Sequence, residues 1–142
     1  MKRLLVMAGL LAGLVLPQAA HAQALKPLVD RLTRAWMQAD ASAIASFAAK
    51  DGVTLDIGSS RVGPVPARQA AAALRKLFES RENVAARAGM ARPVGGSADR
   101  AFVEITWTTR ARGTTVPERS TVYFGLALEG DRWRVTEIRH IR

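Results

Sequence analysis

A few residues could carry chemistry. Asp56 ends the alternating segment Val53-Thr54-Leu55-Asp56-Ile57. A carboxylate enclosed by apolar groups is pushed up in pKa and suits a general base. The Gly58-Ser59-Ser60 turn that follows offers it a different task, capping the backbone of Gly58 or Ser59. Glu104, Thr106 and Tyr123 lie on two strand-like segments and fall on one sheet face in a suitable register, giving one acid and two hydroxyls. The alternative for these three is a polar stripe facing solvent or a second copy. His140, two residues from the end, has no second His or Cys nearby, so no metal site is expected. Trp36, Trp107 and Trp133 sit on apolar stripes, as core or as cavity wall. The chain has no Gly-rich phosphate loop, no serine nucleophile elbow and no HExxH, and no cofactor is implied.

The elements that must position these residues begin after a leader. Lys2 and Arg3 precede a 13-residue apolar run, Leu4 to Leu16, and Ala20-His21-Ala22 supplies a small-x-small pattern. This is the layout of a cleavable signal peptide, and the run falls short of the roughly 20 residues a membrane-spanning helix needs. Residues 1–22 are therefore expected to be removed, with export to the periplasm or the medium and no integral membrane segment afterwards. The remaining 23–142 would be one 120-residue domain, large enough for a single core without disulfides, and the chain has no cysteine. It would carry 19 basic against 12 acidic residues. Such a surface favours acidic polymers, but the arginines are spread along the chain, and no nucleic-acid partner is expected of an exported protein.

Leu25, Leu28, Val29, Leu32, Ala35, Trp36 and Ala39 recur at helical spacing. Asp40 is placed to cap a second helix over Ala41 to Ala49, and Pro66 to open a third over Ala67 to Ser80. Strands are expected over Val53–Ile57, Arg61–Val62, Val84–Met90, Arg100–Arg110, Ser120–Leu128 and Arg132–Ile141. The alternation of the last strand slips between Val135 and Ile138, which signals a bulge. The fold class is α+β: three N-terminal helices packed on a curved antiparallel sheet.

Ala35-Trp36-Met37-Gln38-Ala39-Asp40-Ala41-Ser42-Ala43-Ile44, then Phe47-Ala48 and Val53-Thr54-Leu55-Asp56, resemble the opening of the NTF2-like (cystatin-like α+β cone) superfamily. Asp131-Arg132-Trp133-Arg134-Val135-Thr136-Glu137-Ile138 resembles its usual last strand. The resemblance spans the domain and is nearest to small exported members of unknown function. It implies a cavity between sheet and helices and a homodimer through the outer sheet face. It also sets Asp56 at the catalytic Asp position of the family's ketosteroid isomerases, allowing one inserted residue. Their hydroxyl and carboxylic-acid donors fall near Leu32 and Ser120, so the oxyanion partners are missing. A dehydratase-like His–Asp pair would need His140 beside Asp56. A full fold signature without a full catalytic set points to non-catalytic binding of a small apolar ligand or a protein partner. The cavity residues would be Trp36, Glu104, Thr106, Trp107, Tyr123 and His140. The alternatives are a cofactor-free isomerase or dehydratase using Asp56, and a basic envelope module binding acidic polymers.

Overall fold

The structure is a computed structural model that describes residues 17–142, with side chains from residue 24 onward. Lys2, Arg3 and the apolar run of the expected signal peptide lie outside the described residues.

Helix α1 (Pro17–Met37) lays Leu28, Val29, Leu32, Ala35 and Trp36 into the core. It begins before the expected cleavage point and carries Pro27 in its interior. Asp40 caps α2 (Ala41–Ala45), accepting a hydrogen bond from the Ala43 N–H at 2.9 Å. α2 stops four residues short of the expected Ala49. The backbone of Phe47 and Ala49 is bonded instead to Val135, through Val135 N–H to the Phe47 carbonyl (2.7 Å) and Ala49 N–H to the Val135 carbonyl (2.8 Å). The chain makes one tighter turn, with Phe47 N–H on the Ile44 carbonyl and Ala48 N–H on the Ala45 carbonyl (3.1 Å each), and the bonds to Val135 then end the helix.

Strands β1 (Val53–Asp56) and β2 (Val62–Val65) form a hairpin ahead of α3 (Ala67–Glu79), so the helices are not all gathered at the start of the domain. The hairpin requires glycine at two close approaches. A Cβ on Gly52 would sit 2.7 Å from the Val65 carbonyl oxygen, and one on Gly63 2.8 Å from that of Val53; both residues have positive φ. After α3 come β3 (Arg81–Ala88), the short β4 (Arg92–Pro93), β5 (Arg100–Ala111), β6 (Pro117–Glu129) and β7 (Arg132–Ile141). Among the described residues they build one sheet in the order β2-β1-β7-β6-β5-β3, with β4 also on β5. All pairs are antiparallel except β1 with β7, which is parallel and joins the hairpin to the meander.

Two bulges keep the inner face continuous. On β7 Gly125 pairs with Glu137 and Leu126 with Val135, which leaves Thr136 as the extra residue. Val135 and Ile138 thus both point inward and are buried. On β3, which starts three residues earlier than its pattern suggests, Val84 is the extra residue between Asn83 and Ala85.

The core is built around aromatic rings. Trp36 is fully buried and meets Phe78, Trp107 and Phe124 edge to face, with centroids at 5.0, 5.2 and 5.6 Å. Asn83 ties this cluster to the end of α1. Its amide nitrogen donates to the Trp36 and Met37 carbonyls (2.8 and 2.9 Å), and its oxygen accepts from Trp107 Nε1 (2.9 Å). Asn83→Ala would leave the indole N–H and a helix terminus unpaired. It is expected to lower stability by about 2–4 kcal/mol in urea unfolding, with the slope unchanged.

Candidate functional site

The residues singled out from sequence fall on the two sides of the sheet. Along β5, Ala101, Val103, Ile105, Trp107 and Thr109 point inward and are buried. Glu104 and Thr106 therefore point outward and are exposed. Tyr123 pairs with Glu104, and Thr106 with Thr121, so the expected shared face of Glu104, Thr106 and Tyr123 exists and is the outer one. Asp56 alternates with buried Val53 and Leu55 and is paired with Arg139, which puts it on the outer face as well. Ile57, the next residue, packs against the core where an inward carboxylate would have stood.

Trp36 and Trp107 have no exposed surface and serve as core. His140 is on the inner face, so it and Asp56 lie on opposite sides of the sheet.

The outer row is held by rings and charges. Tyr123 stacks on Phe102 (centroids 5.4 Å, 19° between planes), and the Arg139 guanidinium lies 5.3 Å over the Tyr123 ring. Glu137 bridges Arg61 at 3.1 Å and approaches Arg139 at 3.8 Å. Burial, then the Glu137 carboxylate, push the Tyr123 phenol above its ordinary value. The phenol is thus a neutral hydrogen-bonding group at neutral pH, not a base.

The inner row ends differently. The His140 ring meets Trp107 edge-on (5.2 Å), and its Nε2 is 2.9 Å from the Ser120 hydroxyl. Ser120 and His140 are 20 positions apart in sequence and come together only through the register of β6 and β7.

A cavity of about 640 Å³ lies elsewhere, between the middle turns of α1 and the β3–β4–β5 end of the sheet. Leu25, Val29, Met90, Ala101 and Trp133 supply apolar wall; Lys26 and Asp30 stand at the rim, ion-paired at 2.9 Å. Met90 is 84% exposed, an apolar side chain left in water at the rim. A smaller recess of about 370 Å³ lies across α1, among Pro27, Leu28 and Phe47, with Trp133 common to both. Only Trp133 of these wall residues was singled out as core or cavity wall from its stripe. Met90 and its neighbours sit in a segment whose sequence reads as a weak strand and a loop, so no periodicity marks them.

Burial of the neutral ring, then the charges of Arg81 and Arg142, hold the His140 pKa down at about 4. The unfolded chain titrates near 6.5 and so binds the proton first as pH falls. His140 therefore adds stability that is fully present above pH 6.5 and is lost as pH drops through 6.5 toward 4. For a half-exposed ring this amounts to about 1–2 kcal/mol after solvent screening. Unfolding midpoints measured from pH 7 to pH 4 are expected to fall, and to fall less in His140→Gln. Equal slopes in the two proteins would assign the acid sensitivity elsewhere.

No family model matches the chain, and no curated protein matches it. Solved structures do. A ketosteroid isomerase-like protein from Erwinia carotovora atroseptica superimposes with TM-score 0.65 at 20% identity, covering 84% of this chain and 94% of that one. A DUF4783 family protein from Bacteroides uniformis gives 0.65 at 13% identity, over 80% and 94% of the two chains. A domain of unknown function with a cystatin-like fold from Nostoc punctiforme gives 0.64 at 12%, over 87% and 77%. At such identities the likeness is one of fold, and the chain adopts the NTF2-like fold found in ketosteroid isomerase-like, cystatin-like and uncharacterised domains.

Proposed function

We propose that this protein is an exported NTF2-like domain that binds a small, mainly apolar ligand in the cavity beside α1. The observation that carries this reading is the contrast between a closed aromatic core and an open apolar-walled space of about 640 Å³. That volume is within the usual range of small-molecule sites, roughly 300–1,000 Å³. Met90 gives independent support, because a bound apolar ligand would cover a side chain that otherwise faces water. The Lys26–Asp30 pair at the rim suits a ligand with a polar end.

Export rests on the leader pattern of residues 1–22. The outer face, with its Phe102–Tyr123 stack, is the surface through which a second copy would pair. Asp56 and His140 lie on opposite faces, which speaks against a dehydratase-like pair, and Asp56 and Tyr123 share the outer face, away from the cavity, which speaks against an enclosed isomerase base.

The test uses N-phenyl-1-naphthylamine, a neutral probe that fluoresces in apolar sites. Saturable binding with Kd of about 1–10 μM is expected. Ala88 lines the cavity from an exposed position at the end of β3. Ala88→Trp fills the space and is expected to weaken binding at least tenfold while the melting temperature stays within about 2 °C, as for surface substitutions. Asp56→Asn should leave affinity within a few-fold. Absence of saturation, or unimpaired binding by Ala88→Trp, would move the ligand out of this cavity.

A further inference from the structure

At the far end of β5 from the cavity, basic and hydroxyl groups converge around one buried ring. The Arg81 guanidinium lies 5.9 Å from the Trp107 centroid, and the His140 imidazole meets the same indole at 5.2 Å. Ser120, opposite Trp107 on β6, holds His140 Nε2 at 2.9 Å. The Arg81 side chain is only 16% exposed, yet its one ion-pair partner among the described residues, Glu118, is 3.7 Å away with a side chain 65% exposed to water. A buried guanidinium normally has a close carboxylate. Here the close partner is missing, and Arg142 adds a further positive charge felt at His140.

We propose that this end of the inner sheet face binds an oxyanion, a carboxylate, sulfate or phosphate group, held between Arg81 and the Ser120–His140 pair. The planar donors of Arg81 match such a group in geometry and charge. Without an anion the imidazole is neutral, since burial and the two arginines oppose its protonation. The anion offsets that repulsion. Nε2 then takes a proton from solvent and donates to the Ser120 oxygen, and the Ser120 hydroxyl proton turns to the anion. One proton is taken up, no bond of the protein is broken, and the anion is unchanged. Glu118, the acidic group facing this cluster, swings aside into water, where most of it already is.

The site is independent of the proposed apolar cavity and stands or falls separately. The test is proton NMR of the full chain, which has two histidines, with His140 assigned by the signal missing from His140→Gln. Sulfate is the probe because its charge is constant across the titration; chloride at equal ionic strength is the control. In chloride the His140 midpoint is expected at about 4. Saturating sulfate should raise it toward the ordinary 6.5, and sulfate affinity should be about tenfold higher at pH 5 than at pH 8 through proton linkage. Arg81→Gln is expected to raise the midpoint in chloride and to abolish the response to sulfate. Arg142→Gln, at the exposed chain end, leaves the core untouched and should weaken the response. Dextran sulfate separates the two sources of the anion: a tenfold gain per sulfate group points to a polymer, and parity to a free ion. A His140 midpoint equal in sulfate and chloride, or a full sulfate response in Arg81→Gln, would overturn the assignment.

Discussion

The structure depends on how the Trp36 indole is enclosed. Three rings meet it edge to face, from α3 (Phe78), β5 (Trp107) and β6 (Phe124). Edge-to-face pairs at this spacing add about 0.5–1.5 kcal/mol each beyond the area they bury. Their larger effect is geometric. With four large rings interlocked, the centre of the curved sheet is solid, and a ligand must be accommodated elsewhere. Trp36 Nε1 is buried without a hydrogen-bond partner among the described residues, so even its polar atom is surrendered to packing. Trp107 Nε1 is treated differently, since Asn83 accepts from it while fastening the last carbonyls of α1.

The rest of the molecule follows from a filled centre with a sheet wrapped around it. The sheet needs an uninterrupted apolar inner face, and the extra residues Thr136 and Val84 maintain it where the strands bend. β7 is the pivot. It pairs with β6 on one side and runs parallel to β1 on the other, and Val135 also binds the chain just after α2. Space remains where the packing thins, above all beside the middle turns of α1, where short side chains such as Ala88, Ala98 and Ala101 line one cavity with Trp133. At the opposite end Arg81, Ser120 and His140 close the inner face with polar groups rather than apolar ones.

Much of this frame was legible from residue patterns. The stripe from Leu28 to Trp36, the Asp40 cap, the alternation of β5 and β6 and the slip near Val135 all report local physics, and each has its counterpart in the fold. The overextension of α2 shows where local reasoning ends, because the bond from Val135 to Phe47 is a long-range event. The candidate sites were less legible for the same reason. Alternation reveals which residues share a face but not which face is enclosed. Glu104, Thr106 and Tyr123 were thus correctly grouped, yet their face turns away from Trp36. Ser120 drew attention only as a place where a donor was missing, since its contact with His140 depends on strand register. One side of the cavity wall comes from the end of β3 and the loop beyond it, where alanine and glycine carry no hydrophobic period.

The central claim is that Trp36 and Trp107 are sealed while Trp133 borders open apolar space. The chain has three tryptophans, so 5-fluorotryptophan labelling gives three ¹⁹F resonances, assigned by single Trp→Phe substitutions. Pressurising the sample with xenon, which enters apolar space without needing polar contacts, should shift the Trp133 resonance and leave Trp36 and Trp107 in place. A shift at Trp36 or Trp107 with Trp133 unmoved would contradict the claim, because the accessible cavity would then lie at the centre of the fold and the aromatic cluster would not be a sealed core.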